Sequence, residues 1–377
     1  MLVSTGLSAG EKLAVLSVDG QYDLACACGT NSDDRRRRAS TGDRWIYPVT
    51  LPNGGRSVLF KTLLSNECVN DCRYCPLRAR ANARRCTLTA EETVRAFLGS
   101  LRRGQVFGLF LSSAVPDTPD RAMESMNRVA RILRGREKFR GYIHLKIIPG
   151  ASDEAIREAV SLASAVSLNI ETAGEKHFRT LSSSKDYLRD VIHPMRLISR
   201  LTARGASHSR VKQTTQFVVG ASDETDRELV RYTGGLYQRL GLSRVYFSAY
   251  QRGVGDAGLP GEKGGRDLLL REHRLYQCDW LMRKYGFQAD EIPFDQTGHL
   301  ALDIDPKEHW ARLHPEHFPV DVNRADQHEL LRVPGLGPTT VKHILQWRRQ
   351  SGRLRRLQDI GRPTRLLRKA AGFIVFG

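Results

Sequence analysis

Three cysteines stand close together in the run Cys68-Val-Asn-Asp-Cys72-Arg-Tyr-Cys75. Thiolates are soft donors, and three at C-x3-C-x2-C spacing on one tight loop suit an iron–sulfur cluster or zinc. Three thiolates fill three corners of a cubane and leave its fourth iron open. A structural zinc site calls for four Cys or His ligands, usually in paired C-x2-C units. No second pair follows at finger-like distance, and Cys86 stands alone. A disulfide framework belongs to small secreted domains, and seven cysteines is an odd number. The spacing therefore favours a cluster on Cys68, Cys72 and Cys75, with zinc as the competing reading.

Two further features carry weaker chemistry. Cys26 and Cys28, in Tyr22–Thr30, form a C-x-C pair that suits metal ligands, redox thiols or small loop residues alike. Asp33-Asp34-Arg35-Arg36-Arg37-Arg38 reads as a solvated loop or as an arm that contacts phosphates.

The elements around the three thiols follow a regular alternation. Ser57–Leu64 is an apolar run after Gly54-Gly55 and reads as a strand. The cysteine loop occupies Ser65–Pro76. Thr89 and Glu92 form a capping box that opens a helix to about Arg102. Strands are then expected at Val106–Ser113, Tyr142–Ile148, Ala165–Ile170, Thr215–Val219 and Arg244–Tyr250. Helices are expected at Arg121–Arg134, Asp153–Ala163, Tyr187–Thr202, Glu224–Leu240 and Arg271–Tyr285. Six β/α units predict an α/β fold with a parallel, barrel-like sheet. In such folds the chemistry sits at the C-terminal ends of the strands, where the cysteine loop falls.

The bulk numbers set limits. A chain of 377 residues predicts two or three domains. Lys+Arg 59 against Asp+Glu 41 gives a net charge of +18, which points to a polyanion, nucleic acid first and an anionic membrane second. No apolar run reaches the roughly 20 residues of a membrane helix. The start of the chain lacks the basic-then-apolar order of a signal peptide. These features lead to an expectation of a cytoplasmic protein without a membrane partner.

With Tyr74 directly before the third cysteine, the loop resembles that of the radical S-adenosylmethionine (SAM) superfamily, C-x3-C-x-aromatic-C. The resemblance implies a partial (β/α)6 barrel, a [4Fe–4S] cluster on Cys68, Cys72 and Cys75, and SAM on the open iron. It implies one-electron cleavage of SAM to methionine and a 5′-deoxyadenosyl radical, with the electron from a donor such as flavodoxin or ferredoxin. Tyr74 would lie near the adenine. Many members carry Gly-Gly-Glu on the second strand to receive the SAM amino group; here that place reads Ser112-Ser113-Ala114. This departure leaves the role to backbone carbonyls or to Ser112 and Ser113, and keeps open a structural or redox-sensing cluster. Asn169 and Glu171 would hold the ribose or methionyl end of SAM, or else serve as helix-capping or solvated strand-end groups. Gly220 would approach the adenine by its backbone. Cys26 would be a thiol that returns a hydrogen atom to the product, or a buried small residue.

The C-terminal stretch has another composition. Asn323 is expected to cap a helix over Arg324–Arg332, and a second helix is expected from Pro338 to about Arg349. Between them, Val333-Pro334-Gly335-Leu336-Gly337-Pro338 resembles the hairpin of helix-hairpin-helix DNA-binding motifs. Gly335 and Gly337 would let the backbone approach a phosphate, and N–H groups at a helix start attract one. Lys342, Arg348 and Arg349 would add positive charge. An αα-hairpin used only for packing is the competing reading. Together with Tyr22–Cys26, Tyr246-Phe247-Ser248-Ala249 and Gln277-Cys278-Asp279-Trp280-Leu281, the module makes nearly the whole chain similar to radical SAM proteins assigned to DNA modification or repair. DNA is the implied partner, with RNA as the second polymer. The expected organisation is an N-terminal extension (1–50), a radical SAM partial barrel (51–292), an irregular linker (293–318) and a small all-α helix-hairpin-helix domain (319–377).

Overall fold

The computed structural model describes residues 6–20, 45–50, 56–264 and 267–377; Cys26, Cys28 and the Asp33–Arg38 run lie outside them. The chain divides into two compact units. One comprises residues up to Glu224 together with Gly235–Glu272, and the other comprises Thr225–Gly234 with His273–Gly377.

The first unit is built on a seven-stranded sheet curled into a half-barrel, in the order β1 (Ile46–Thr50), β2 (Arg56–Leu63), β3 (Gly108–Ser112), β4 (Tyr142–Lys146), β5 (Ala165–Ser167), β6 (Lys212–Val219) and β7 (Arg244–Ala249). Strands β2 to β7 pair in parallel, as the alternation predicts. Strand β1, which pattern reading missed, pairs antiparallel on the edge. Its Pro48 has no N–H to give to a ladder, and an edge strand tolerates that.

Pleating gives the sheet two unlike faces. Phe60, Leu109, Leu111, Ile143, Leu145, Val166, Phe217 and Phe247 point to one face and are fully buried. Helices α2 (Ala90–Arg102), α3 (Pro119–Gly135), α4 (Asp153–Leu162) and α6 (His193–Thr202) form a layer in that order. Each such side chain contributes roughly 1.5–3 kcal/mol through burial. Lys61, Phe110, His144, Lys146, Gln216 and Tyr246 alternate with them and line the concave side.

Capping sets the helix starts. Helix α1 (Ala9–Asp19) begins with a box between Ser8 and Glu11, and α2 with the expected box between Thr89 and Glu92. Two elements depart from expectation. Helix α5 (Glu175–Leu181) starts at Gly174 without a side-chain cap, so it left no signal. The helix expected from Tyr187 opens as a π-helical turn, Tyr187–Ile192, in which the His193 N–H reaches back to Leu188 O. Pro194 follows and has no N–H for the regular ladder, which favours the wider turn. Helices α7 (Asp226–Leu240) and α8 (Leu268–Lys284) complete the alternation.

In the second unit the stretch expected as irregular linker contains helix α9 (Pro306–Leu313). Asp305 caps it by accepting from Glu308 N at 3.0 Å, and Pro306 suits the first turn. Trp310 on α9 meets Phe287 edge-on at 5.4 Å, and the Arg332 guanidinium lies 4.8 Å from its ring. Helices α10 (Gln327–Arg332), α11 (Pro338–Gln350), α12 (Leu357–Ile360) and α13 (Arg365–Ala370) enclose a core of Val322, Leu330, Leu331, Val333, Leu336, Val341, Ile344, Leu354, Ile360 and Leu367. Strands β8 (Val320–Asp321) and β9 (Ile374–Val375) close this module. The expected cap is corrected. Asp326, not Asn323, caps α10, accepting from His328 N and Glu329 N at 2.7 and 2.9 Å. Asn323 instead bridges Leu354, giving to its carbonyl at 2.9 Å and accepting from its N–H at 2.8 Å.

Candidate functional site

Strand β2 runs into the thiol loop, and two flanking segments fix that loop. On one side, Asp71 accepts from Ser184 Oγ at 2.7 Å, Ser182 Oγ at 2.6 Å and Ser183 N at 2.9 Å, and from the Ser183 hydroxyl. Burial works against that carboxylate, but the bonds from Ser182, Ser183 and Ser184 hold it far below the usual range. Arg73 adds its N–H to Leu181 O at 2.8 Å and its guanidinium to Thr180 O at 3.1 Å. On the other side, Asp256 pairs with Arg73 at 2.8 Å, and Arg78 gives to Val254 O at 3.0 Å and Gly255 O at 3.2 Å. Inside the loop, the fully buried Arg85 gives to Leu77 O at 3.0 Å, Arg78 O at 2.9 Å and Ala81 O at 3.2 Å, and to Asn66 O. A planar donor with five N–H groups and no acceptor suits a ring of carbonyls.

This frame presents Cys68, Cys72 and Cys75 together. Cys72 Sγ accepts from Lys185 Nζ at 2.9 Å, and Cys75 Sγ from Leu77 N at 3.4 Å. Burial pushes the Cys75 thiol up to about 12, and the neighbouring Cys72 adds to the rise. A thiol raised in this way ionises readily only against a bound cation, which suits Cys75 to a metal-dependent donor set. Among the described residues, the group of three donors gathered within 4.8 Å of one another is His314, Glu316 and His317, not the thiols. One tetrahedral zinc draws its ligands closer than that, whereas a cluster spreads its thiolates over several irons. The residues present fit a cluster.

Three of the expected cofactor residues come together beside the loop. The Tyr74 hydroxyl bonds with Glu171, and burial followed by the charge of Glu171 raises it well above the usual phenol range. Asn169 Nδ2 lies 3.5 Å from Glu171 Oε2. Glu171 is held at φ +66°, its N–H giving to Gln216 O at 3.1 Å and its carbonyl accepting from Val218 N at 2.7 Å. A side chain in that region costs about 1–2 kcal/mol, and the two strand bonds hold it there. Ser112 and Ser113 stand at the C-terminal end of β3, joined to the loop by Leu64 N to Ser112 O at 2.8 Å and Ala114 N to Ser65 O at 2.8 Å. Gly220 is differently employed. Its N–H gives to Glu224 Oε1 at 2.7 Å, and a Cβ there would stand 2.5 Å from Leu268 Cδ2. Its φ of +83° serves this turn.

Lys185, Asp71 and Arg85 escaped sequence reasoning. Lys185 meets Cys72 across 113 positions, and a serine run before a lysine has no local meaning.

In the second unit, Leu336 N closes the hairpin on Val333 O at 3.1 Å, and α11 starts at Gly337 with no side-chain cap. Residues 317–373 match the family model described as Helix-hairpin-helix motif. Within this helix-hairpin-helix module, Lys342 and Arg349 are exposed. Arg348 is tied back to the module itself, giving to Ala325 O at 2.5 Å and Arg324 O at 3.3 Å. Gly335 adopts φ +88°, and a Cβ there would stand 2.1 Å from Leu366 O on α13. Its need for glycine is therefore packing, whereas Gly337 keeps an ordinary φ of −107°.

The chain is similar in fold to parts of three solved structures. HydG, a maturase of the [FeFe]-hydrogenase, shares 15% identity, with 59% of this chain and 48% of that chain covered and a TM-score of 0.46. SuiB from Streptococcus suis, bound to S-adenosylmethionine, shares 14% identity over 60% of this chain and 47% of its own, with a TM-score of 0.45. OxsB, a cobalamin-dependent S-adenosylmethionine radical enzyme, shares 12% identity over 57% and 34%, with a TM-score of 0.34. The match thus spans about half or less of each of those chains. Likeness at this level says nothing of chemistry, which has to come from this chain's own residues. No curated protein matches the chain. No helix among the described residues is long and apolar enough to cross a membrane.

Proposed function

We propose that the chain is a radical SAM enzyme that acts on DNA, modifying or repairing it. The reading rests on one observation: three thiols on a braced loop at the C-terminal edge of a half-barrel sheet, beside the Tyr74–Glu171 pair. Cys68, Cys72 and Cys75 would hold a [4Fe–4S] cluster. When bound, the cluster and SAM supply a one-electron reduction and a primary carbon radical that takes hydrogen from an unactivated carbon. The electron would come from a donor of flavodoxin or ferredoxin type.

The chain's own residues orient and shield. Asp71, Arg73 and Arg85 fix the thiol loop, so the three sulfurs are set before the cluster arrives. Lys185 gives a hydrogen bond to Cys72 Sγ. Glu171 offers a carboxylate to the SAM amino group or ribose, the part that Ser112-Ser113-Ala114 lacks, and Tyr74 places a ring beside the adenine. Asn169 orients Glu171. Ser112 and Ser113 offer hydroxyls and carbonyls from the adjoining strand, and Gly220 offers its carbonyl. The uncapped start of α11, with Gly337, Lys342 and Arg349 near it, would take a DNA phosphate without reading bases. Gly335 and Arg348 would shape that hairpin from behind.

Anaerobic iron and sulfide analysis of the wild type and of Cys72→Ala tests the cluster. The expected result is about four of each per chain, lost in the variant; stoichiometric zinc in place of iron sinks the reading. Reduced protein with SAM should release 5′-deoxyadenosine, and none from a fully loaded cluster with DNA present would favour a structural or redox-sensing cluster. For the module, log K for duplex DNA should fall against log salt with a slope of roughly −4 to −5 if about 4–6 phosphates are engaged. A matched RNA arm distinguishes the polymers.

A further inference from the structure

The second unit carries another donor set, built from imidazole and carboxylate instead of thiol. Helix α9 ends at Leu313, and His314-Pro315-Glu316-His317 follows as a tight turn. His317 N gives to His314 O at 3.2 Å, and this bond between residues three apart brings both imidazoles to one side. Both rings lie against the indole of Trp310, with centres 4.6 and 5.3 Å from it and tilts of 30° and 24°. Their own centres are 5.9 Å apart, so they sit side by side on it. Trp310 is itself wedged in place. It is buried, and Phe287 and Phe318 meet it edge-on at 5.4 and 6.4 Å.

The polar atoms converge on one point. His314 Nδ1 lies 2.9 Å and His317 Nε2 3.8 Å from the same oxygen, Glu316 Oε1. The three donor atoms fall within 4.8 Å of one another. The side chains are open to solvent, His314 by 41%, Glu316 by 62% and His317 by 55%. Nearby guanidinium groups are engaged elsewhere. Arg312 pairs with Glu308 at 2.6 Å and Arg332 with Glu291 at 2.7 Å. Among the described residues no lysine or arginine pairs with Glu316, whose partners are the two histidines. The turn also follows the C-terminal end of α9, where the helix dipole favours a cation.

Two imidazoles and a carboxylate suit a zinc-class ion, whereas magnesium and calcium prefer shells of oxygen. Zinc draws such donors to about 2.0–2.1 Å, and three protein ligands leave it a position for water. We propose that His314, Glu316 and His317 bind one divalent ion of the zinc class. The ion would take the place of the proton that His314 Nδ1 and Glu316 share. It would pin the turn that follows α9 and keep one coordination position open to solvent. Trp310 would act as a positioning residue, setting both imidazoles before the ion arrives.

The test uses the full chain, loaded with iron and sulfide, and zinc chloride as the probe. Equilibrium dialysis should give about one zinc per chain at this site. His317→Ala and Glu316→Gln should each weaken that binding at least roughly tenfold, the lower end of what losing even an outer partner of a metal ligand costs. His314→Ala combined with His317→Ala should abolish it. Circular dichroism of each variant should match the wild type, since the three side chains are exposed. Replacing Cys26 and Cys28 together by serine should leave the zinc in place. X-ray absorption at the zinc edge should show nitrogen and oxygen at about 2.0–2.1 Å and no sulfur at about 2.3 Å. The difference between wild type and the histidine variants reads this site whatever occupies the thiols. Binding unchanged in the double histidine variant, a sulfur shell around the zinc, or saturation only at about millimolar zinc would each overturn the proposal. Magnesium bound as tightly as zinc would overturn the assignment of the ion.

Discussion

Gly335→Ala separates packing from binding in the hairpin. The residue sits at φ +88°, where a Cβ costs about 1–2 kcal/mol. That Cβ would also stand 2.1 Å from Leu366 O and 3.0 Å from Ala370 N. Both are backbone atoms of α13, so no side chain can rotate away, and overpacking of this kind adds about 1–3 kcal/mol. The sum is about 2–5 kcal/mol. For a unit of this size, a melting temperature should fall by roughly 10–20 °C. Gly337→Ala is the control. Its φ is −107°, and its Cβ would lie 3.4 Å from Tyr285 Oη, an ordinary contact. It should cost at most about 1 kcal/mol yet, on the proposed DNA reading, weaken duplex binding, because a methyl group would stand where the proposed phosphate contact would form. Calorimetry of the full chain reads the first effect, and fluorescence anisotropy with a duplex reads the second. A Gly335→Ala protein that melts like the wild type would refute the packing account. The reverse pattern, with Gly337→Ala unstable and Gly335→Ala defective only in binding, would refute the division between them.

Three other perturbations follow from single contacts. Lys185→Met should lower the midpoint potential of the loaded cluster by roughly 100 mV, since a unit charge at about 4 Å and effective dielectric near 20 is worth about 4 kcal/mol before solvent screening; Lys185→Arg should keep the potential, and an unchanged value in an electron-paramagnetic titration of Lys185→Met would dismiss the contact. Asp71 has a depressed pKa in the fold, so its stabilisation is present above the ordinary carboxylate pKa and disappears as pH falls through the folded value. Asp71→Asn should therefore be less stable than the wild type at neutral pH, with the gap closing in strong acid, as read by denaturant melts across pH. Lys307 has its Nζ 2.7 Å from Leu336 O, and burial pulls its pKa down to about 7. The unfolded chain then holds the extra proton between pH 7 and about 10, so wild-type stability should rise across that window by about 3–5 kcal/mol at most. Lys307→Met should lack the rise, and parallel pH profiles for the two proteins would remove the buried charge from the account.

Short-range features were readable in the chain because their causes lie within a few residues. The C-x3-C-x2-C spacing is local, and so is the Thr89–Glu92 box that starts α2. The β/α alternation was legible because each strand buries one face and each helix one stripe, which imposes periods of two and 3.6 on the sequence. The hairpin at Val333–Pro338 was legible for the same reason, since proline and glycine act on their own dihedral angles. Strand β1 was missed because an edge strand is only half buried and its Pro48 reads as a breaker.

Other features depended on contacts that no window contains. Asn323 looked like a cap, and the real cap is three residues on, because Asn323 bridges Leu354 instead. Gly335 and Gly337 looked alike, and only the approach of α13 makes one of them indispensable for packing. Gly220 was expected to approach the adenine by its backbone, and Glu224 takes its N–H, which leaves only its carbonyl for that role. Lys185 reaches Cys72, and Glu171 reaches Tyr74, across stretches of about a hundred residues. The chain by itself determined which residue types were available and which elements they form, since propensity, capping and periodicity act over a few residues. Tertiary structure alone decided which of those residues meet, because a charge or a hydrogen-bond donor acts over a few ångströms of space whatever its separation along the chain.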